Sequence, residues 1–154
     1  MKKEIKTITV NKKAFHNYSI EDEYVSAIQL LGCEIKSIRS GEVNISDTYC
    51  VFGGKNNHEL FVKNMYIKPY ENRDGFHFKL DPNRDRKLLL TKYELRKLEQ
   101  KVKIKGYAII PLRVAINENG YCKIIIGLCK GKKEYDKRQD IKERDIKRDM
   151  ERDL

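Results

Sequence analysis

The chain has 154 residues, 40% hydrophobic and 36% charged, which suits one small folded domain, alone or with a tail. No apolar run approaches the roughly 20 residues that span a membrane. Because residues 1–10 carry no apolar signal region, we expect a cytoplasmic protein. The 33 basic residues exceed the 23 acidic ones by ten, which favours a polyanionic partner. Nucleic acid is the first candidate; an anionic membrane surface and an inert basic surface are the alternatives.

The first half of the chain alternates between strand and helix signals. Leu31, Ile35 and Ile38 have the spacing of an amphipathic helix, and Gly41 suits its C-terminal end. Elsewhere, apolar and aromatic residues recur at every second position or flank a glycine- and asparagine-rich turn, which indicates strands. In chain order we predict a strand at 7–10, a strand within 15–29, a helix over 32–41, and a hairpin with strands at 48–52 and 59–63.

The second half contains one longer helix and a second hairpin. Thr91 and Glu94 have the spacing of a capping box, and apolar residues continue at helical spacing until Gly106 ends the helix. Two apolar strands, at 107–116 and 121–128, are joined by an Asn-Gly turn. Because no βαβ repetition occurs, we expect a small, mostly antiparallel barrel or sandwich with helices at its edges.

The composition changes at Lys130, so we divide the chain into a body, residues 1–129, and a tail, residues 130–154. The tail has ten basic and eight acidic residues but only five large apolar ones, too few to keep it ordered alone. Pairs with the acid first, such as Glu134–Arg138 and Asp140–Arg144, favour a helix. We predict a tail that is disordered in the free protein and helical when it lies in an anionic groove.

The four cysteines do not indicate a metal site. No two of them have CxxC spacing, and no histidine lies near any of them at ligand spacing. We expect buried, reduced thiols, no bound metal and no cofactor. The four are Cys33, Cys50, Cys122 and Cys129.

Aromatic residues interleave with charged ones in a way that suits RNA binding. In RNA-binding proteins, exposed aromatic rings stack on unpaired bases while arginines contact phosphates. The alternative is that these rings belong to the core. The aromatic set is Phe15, His16, Tyr18, Tyr24 and Tyr70, and the densest cationic run is 84–105.

Five segments carry a more specific signal through their order and spacing. They are Asn11–Ala14, Gly32–Gly41, Asn64–Tyr70, Arg84–Leu90 and Gly131–Arg138. In this order, over about Thr7 to Arg152, they resemble the SsrA-binding protein family, also called small protein B. The resemblance implies an OB-like antiparallel β-barrel with flanking helices and a C-terminal tail.

The resemblance also implies a function. Family members are bacterial proteins that bind transfer-messenger RNA (tmRNA) and bring it to ribosomes stalled on messages without a stop codon. It implies that the barrel holds the tRNA-like domain of this RNA, and that the tail becomes helical in the decoding centre and the empty mRNA channel. The implied partners are therefore tmRNA and the ribosome, with no membrane and no DNA.

Site residues follow from the same resemblance. Implied RNA-binding residues of the barrel are Asn11, Lys12, Lys13, Tyr18, Glu34, Lys36, Arg84, Arg86, Lys87 and Leu89. Implied decoding-centre residues of the tail are Gly131, Lys132, Lys133, Tyr135, Asp136, Lys137 and Arg138. At one position the chain departs from the family, since Val25 stands where members often have an RNA-binding glutamate. Either Glu21 or Glu23 takes that role, or the contact is absent.

Two other functions compete with this one. A nuclease would need histidines and carboxylates that converge on a phosphate. Because His16, His58 and His77 lie in different segments outside any catalytic motif, we predict no enzyme. A general OB-type single-strand or ribosomal RNA-binding protein is the second alternative, and it would bind many RNAs alike.

Overall fold

The computed structural model of the protein describes residues 6–69, 81–104 and 106–131. The tail after Gly131 and the predicted loop at 71–78 lie outside these residues. The described strands are β1 Lys6–Val10, β2 Tyr18–Ile28, β3 Val43–Asn44, β4 Tyr49–Gly53, β5 Glu59–Lys63, β6 Tyr66–Ile67, β7 Arg86–Leu89, β8 Tyr107–Ile116 and β9 Cys122–Gly131. The described helices are α1 Lys12–Asn17, α2 Gly32–Arg39 and α3 Lys92–Val102, with a 3₁₀ turn at Lys55–Asn57.

Six strands form a closed antiparallel ring. Their order is β8, β4, β5, β7, β2 and β9, and β9 pairs again with β8. Every pairing in the ring is antiparallel, and β1 extends the sheet along β8 beyond the point where β4 pairs with it. The predicted mainly-β barrel with flanking helices is confirmed.

Alternating residues of the strands fill the ring. Ile124, Ile126 and Leu128 of β9 point inward and are almost completely buried, as are inward residues of β5, β7 and β8. Ile38 of α2 and Leu98 of α3 join this core and are fully buried. Their burial confirms the helical spacing recognised in the sequence.

Helices α2 and α3 lie at opposite ends of the barrel. Arg39 of α2 donates through Nη2 to the carbonyl oxygen of Gly120 at 3.2 Å, in the turn that follows the end of β8. His58, in the turn after β4, lies 3.2 Å from Glu99 of α3. Because β4 runs antiparallel to β8, that turn lies at the end where β8 begins. None of the described helices is long and apolar enough to cross a membrane.

Helix α1 and strand β7 were not predicted, and neither were the two-residue strands β3 and β6. Helix α1 has six residues, too few to show a periodic pattern, and it begins because the Asn11 side chain accepts a hydrogen bond from the backbone N–H of Ala14. It covers a second, smaller core formed by Ala14, Ile110, Leu112 and Cys129 on the outer face of the sheet. Strand β7 gave no strand signal because its Lys-Leu-Leu sequence resembles the start of the helix that follows.

A buried ionic cluster joins α2 to β7. Arg86 is 1% exposed and donates to Glu34 (Nε to Oε2, 2.7 Å), to the Met65 carbonyl at 2.6 Å and to the Pro82 carbonyl at 3.1 Å. Arg84 binds the same Glu34 carboxylate from a partly exposed position. Glu34 also accepts from the backbone N–H of Leu31 at 3.0 Å, which caps α2.

The cluster sets the charge state of Glu34. Burial alone raises the pKa of its carboxyl, but hydrogen bonds from Arg84, the Leu31 N–H and Arg86 outweigh burial, so the pKa lies below the ordinary 4.5. The folded state therefore holds Glu34 ionised, and this stabilises the fold above about pH 4.5. The contribution is lost as the pH falls through the lowered pKa.

Replacing Glu34 should be severely destabilising. Glu34→Leu leaves Arg86 charged and buried without its partner, a change that typically costs about 3–5 kcal/mol. Urea unfolding at pH 7 measures the loss. Glu42→Gln is the matched control: it removes the exposed ion pair of Glu42 with Lys68 at 3.2 Å, which should cost less than about 1 kcal/mol.

The wild type and the Glu34→Leu variant can also be compared as a function of pH. The stability difference between the wild type and Glu34→Leu should shrink as the pH is lowered below about 4.5, because the wild type loses its ionised Glu34 there. Equal stability of Glu34→Leu and Glu42→Gln at pH 7 would contradict the structural role given to the cluster.

Candidate nucleic-acid interface

Helix α1 forms one wall of a cleft of about 420 Å³. Asn11, which starts the helix, is 2% exposed, and its Nδ2 donates to the carbonyl of Pro111 at 2.9 Å. Its backbone N–H donates to the carbonyl of Leu112 at 2.7 Å, so Asn11 fastens α1 to a bulge of β8. Asn11 thus positions the helix while its own side chain is already engaged within the protein.

Polar and aromatic side chains line this cleft. Lys13 of α1 forms an ion pair with Asp47 (Nζ to Oδ1, 2.7 Å), and the hydrogen bond and charge of Asp47 raise the pKa of Lys13. Tyr18 and Tyr49 contribute their rings. Lys12 is exposed and has no ion pair among residues 6–69, 81–104 and 106–131. The cleft offers rings beside a cation, an arrangement that suits stacking on a nucleobase.

The tail leaves the barrel beside this cleft. Tyr18 lies opposite Gly131 in the pairing of β2 with β9, and the N–H of Gly131 donates to the carbonyl of Gly106 at 3.4 Å. Gly131, one of the implied tail residues, is therefore the last residue of a strand. The other implied tail residues, Lys132, Lys133, Tyr135, Asp136, Lys137 and Arg138, lie outside the described part of the chain.

A second set of implied residues lies on the outer face of β2 and β7. Leu89 is 43% exposed and pairs with Ala27, and Val25, two residues before Ala27, is 55% exposed. Lys87 lies two residues before Leu89 and forms an ion pair with Glu59 at 3.2 Å. Strand alternation therefore brings Leu89, Lys87 and Val25 to one accessible face.

The two glutamates near Val25 already have partners within the protein. Glu21 accepts a hydrogen bond from the hydroxyl of Tyr107 at 2.9 Å, which raises the pKa of that tyrosine. Glu23 lies 3.4 Å from Nη2 of Arg113. Both carboxylates remain exposed on the barrel surface. An RNA group that approached either of them would compete with these contacts.

The remaining implied residues lie around α2. Glu34, Arg84 and Arg86 come together, but in the buried cluster described above, where Arg86 has no access to solvent. Lys36 is exposed on α2. The implied barrel residues thus occupy three places: the α1 cleft, the outer face of β2 and β7, and the α2 end of the barrel.

Sequence reasoning missed two cleft residues, Tyr49 and Asp47. Tyr49 begins β4 with its ring outward, and strand alternation beside the buried Cys50 was the available signal. Asp47 precedes that strand in a turn and gave no signal. Only the folded structure shows that Asp47 accepts a hydrogen bond from Lys13.

Three of the four cysteines are buried as predicted, whereas Cys33 is partly exposed. Cys50, Cys122 and Cys129 are buried, and no disulfide links the four cysteines. Burial raises the pKa of Cys50, and it raises those of Cys122 and Cys129 to about 11, so these thiols stay protonated at neutral pH. In the described part of the chain, no three histidine, cysteine or acidic side chains gather closely enough to hold a metal ion.

Comparison with known proteins gives consistent matches over nearly the whole chain. The family model described as SmpB protein matches residues 8–154. The SsrA-binding protein of Christiangramia forsetii is 50% identical over 142 residues, 92% of this chain and 87% of the relative. That of Staphylococcus carnosus is 48% identical over 151 residues, 98% of this chain and 93% of the relative. That of Bacillus cereus is 50% identical over 147 residues, 96% of this chain and 91% of the relative.

A solved structure agrees with these matches. It is described as "tmRNA-SmpB: a journey to the center of the bacterial ribosome" and superposes with a TM-score of 0.67 at 43% sequence identity. The superposition covers 82% of this chain and 85% of that chain, so the similarity extends across the barrel and not only to its motifs. On the family match and the identity to these relatives, the chain belongs to the SmpB family.

Proposed function

We propose that this chain binds tmRNA and delivers it to stalled ribosomes for trans-translation. The observation that carries the proposal is the SmpB match over residues 8–154, together with relatives named SsrA-binding proteins at 45–50% identity. The protein is an RNA-binding factor, not an enzyme. Because its partner is the ribosome, we place it in the cytoplasm.

The α1 cleft and the outer face of β2 and β7 are the surfaces that we assign to tmRNA. The cleft supplies the side chains of Tyr18 and Tyr49 together with Lys13, and the outer face supplies Leu89. Asn11, Glu34 and Arg86 then act indirectly, because their side chains hold α1 and α2 in place. The closed barrel keeps the two surfaces in a fixed relation, so they suit one structured RNA better than a flexible strand.

Residues 132–154 are assigned to the ribosome. They follow directly from β9, whose pairing ends at Gly131, and they carry nine basic and eight acidic residues. With a net charge of only +1, this segment adds little general attraction for RNA. We propose that it occupies the decoding centre and the empty mRNA channel, with Lys132, Lys133, Tyr135, Asp136, Lys137 and Arg138 as its contacts there.

A competition experiment tests the function. A labelled tRNA-like domain of tmRNA is bound to the full-length protein and challenged with the unlabelled domain or with a single-stranded RNA of equal length. We expect the folded RNA to compete at least about tenfold better, a difference of about 1.4 kcal/mol. Equal competition by both RNAs would identify a general single-strand-binding protein instead.

Leu89→Asp should weaken tmRNA binding without unfolding the barrel. The exposed side chain contributes little to the core, while an acid there would repel RNA phosphates and remove an apolar contact. We expect a loss of about tenfold or more in affinity, or about 1.4 kcal/mol, by filter binding at fixed salt. Tyr121→Asp is the control, because it adds the same charge to another exposed residue. Equal effects of the two variants would remove Leu89 from the interface.

Truncation after Gly131 should separate the two activities. The cut preserves all of β9 and changes the net charge by only one, so tmRNA affinity should stay within about threefold of the wild type. Tagging of nascent peptides on stalled ribosomes should be lost in a reconstituted translation assay. A large loss of tmRNA affinity would refute the division between barrel and tail.

A further inference from the structure

We propose that Tyr107 and Glu21 are positioning residues, which fix the direction in which the tail leaves the barrel. The inference rests on the proposed function, because it concerns how the tail is presented to the ribosome. The hydroxyl of Tyr107 donates to Oε1 of Glu21 at 2.9 Å. This bond connects β8 with β2 across β9, the strand from which the tail continues. We call the bond between these two side chains the strap.

The strap crosses β9 close to its last residues. Tyr107 of β8 pairs with Lys130 of β9. Glu21 lies between the two β2 residues that pair with Cys129 and Leu128 of β9. The strap therefore joins the two strands that flank β9 and holds all three together where β9 ends.

A bulge in β2 allows Glu21 to take this position. Ile20 pairs with Cys129 and Asp22 pairs with Leu128, so Glu21 is an extra residue that pairs with neither. A bulge commonly changes the direction of a side chain. Here it lets the carboxylate of Glu21 reach β8, two strands away.

Two further contacts hold the last residues of β9. The ammonium of Lys130 lies 5.7 Å from the centre of the Tyr107 ring, a distance typical of cation–π contacts. The N–H of Gly131 donates to the carbonyl of Gly106 at 3.4 Å. Tyr107 and the residue before it thus contact both residues from which the tail continues.

The direction set here decides where the first tail residues can lie. Two residues of extended chain span at most about 7 Å, which limits how far Lys133 can reach from Gly131. Gly131 pairs with Tyr18, whose side chain lines the α1 cleft. The strap therefore fixes the start of the tail relative to a surface that we assign to tmRNA.

Without the strap, the start of the tail would sample several directions. Only a fraction of the molecules would then present the tail productively, and the apparent affinity for the ribosome would fall by that fraction. The tail residues themselves would be unchanged. Loss of the strap should therefore raise the concentration of protein–tmRNA complex that half-saturates tagging of nascent peptides, while the maximal rate of tagging stays the same.

Four full-length variants test the strap. Tyr107→Phe and Glu21→Ala each remove the hydrogen bond, and phenylalanine keeps the ring that faces Lys130. The third variant combines both changes. Glu21→Gln is the matched control, because it removes the same charge as Glu21→Ala but keeps an oxygen that accepts from Tyr107.

Tagging on stalled ribosomes is measured against the concentration of the complex, and tmRNA affinity is measured by filter binding. The direction of the tail is measured separately, as the distribution of distances between two spin labels in the free protein. One label is attached to Cys33 of α2 and the other to Glu134→Cys in the tail. Because the other three thiols are buried, the labels attach at these two positions.

We expect Tyr107→Phe and Glu21→Ala each to broaden the distance distribution and to raise the half-saturating concentration about threefold. The combined variant should be no worse than either single variant, because all three lack the same bond. Glu21→Gln should match the wild type in both measurements. All four variants should bind tmRNA like the wild type.

Four outcomes would overturn the inference. They are an unchanged distance distribution or half-saturating concentration in Tyr107→Phe and Glu21→Ala, an equal change in Glu21→Gln, additive effects in the combined variant, and a loss of tmRNA affinity that accounts for the tagging defect. Failure of the proposed function is distinguishable, because the wild-type protein itself would then support no tagging.

Discussion

The pairing of β9 along both of its edges is the constraint on which the other features depend. Residues of β9 pair with β2 from Lys123 to Gly131, and with β8 from Cys122 to Lys130. One strand thus closes the ring, fills its interior with alternate apolar residues, and ends at the point where the tail begins. The inward residues Ile124, Ile126 and Leu128 make this closure stable, since each is almost completely removed from water.

Bulges let the same sheet serve two cores. The register of β2 shifts between Ile20 and Asp22, so that Tyr18 and Ile20 pack under α1 while Tyr24 packs on the barrel core. A second shift in β8, at Pro111, gives Asn11 the carbonyl groups that it binds. Gly127 permits close packing there, because a Cβ at this position would lie 2.7 Å from a methyl group of Leu112. The α1 cleft therefore depends on irregularities of the strands beneath it.

Much of the fold was predictable because its signals are local. The capping box of Thr91 and Glu94, the Asn-Gly turn and the apolar run of β9 each depend on neighbouring residues, and each was recognised in the sequence. The bulge in β2 could not be predicted from the sequence. Asp22 interrupts the alternation of apolar residues, but the sequence does not indicate which face of the sheet the following side chains occupy. The role of Arg86 was also hidden: a cation in a basic segment suggests an RNA contact, and only the fold shows that Glu34 and two carbonyl groups enclose it.

The buried thiols have a consequence for chemical resistance. Oxidation and alkylation proceed through the thiolate, and protonation together with burial keeps Cys50, Cys122 and Cys129 from both reactions. Only Cys33 of the four is partly accessible in the folded barrel. Peroxide should therefore leave the barrel intact as long as it remains folded. Reaction of the other three thiols would instead report that the ring of strands had opened.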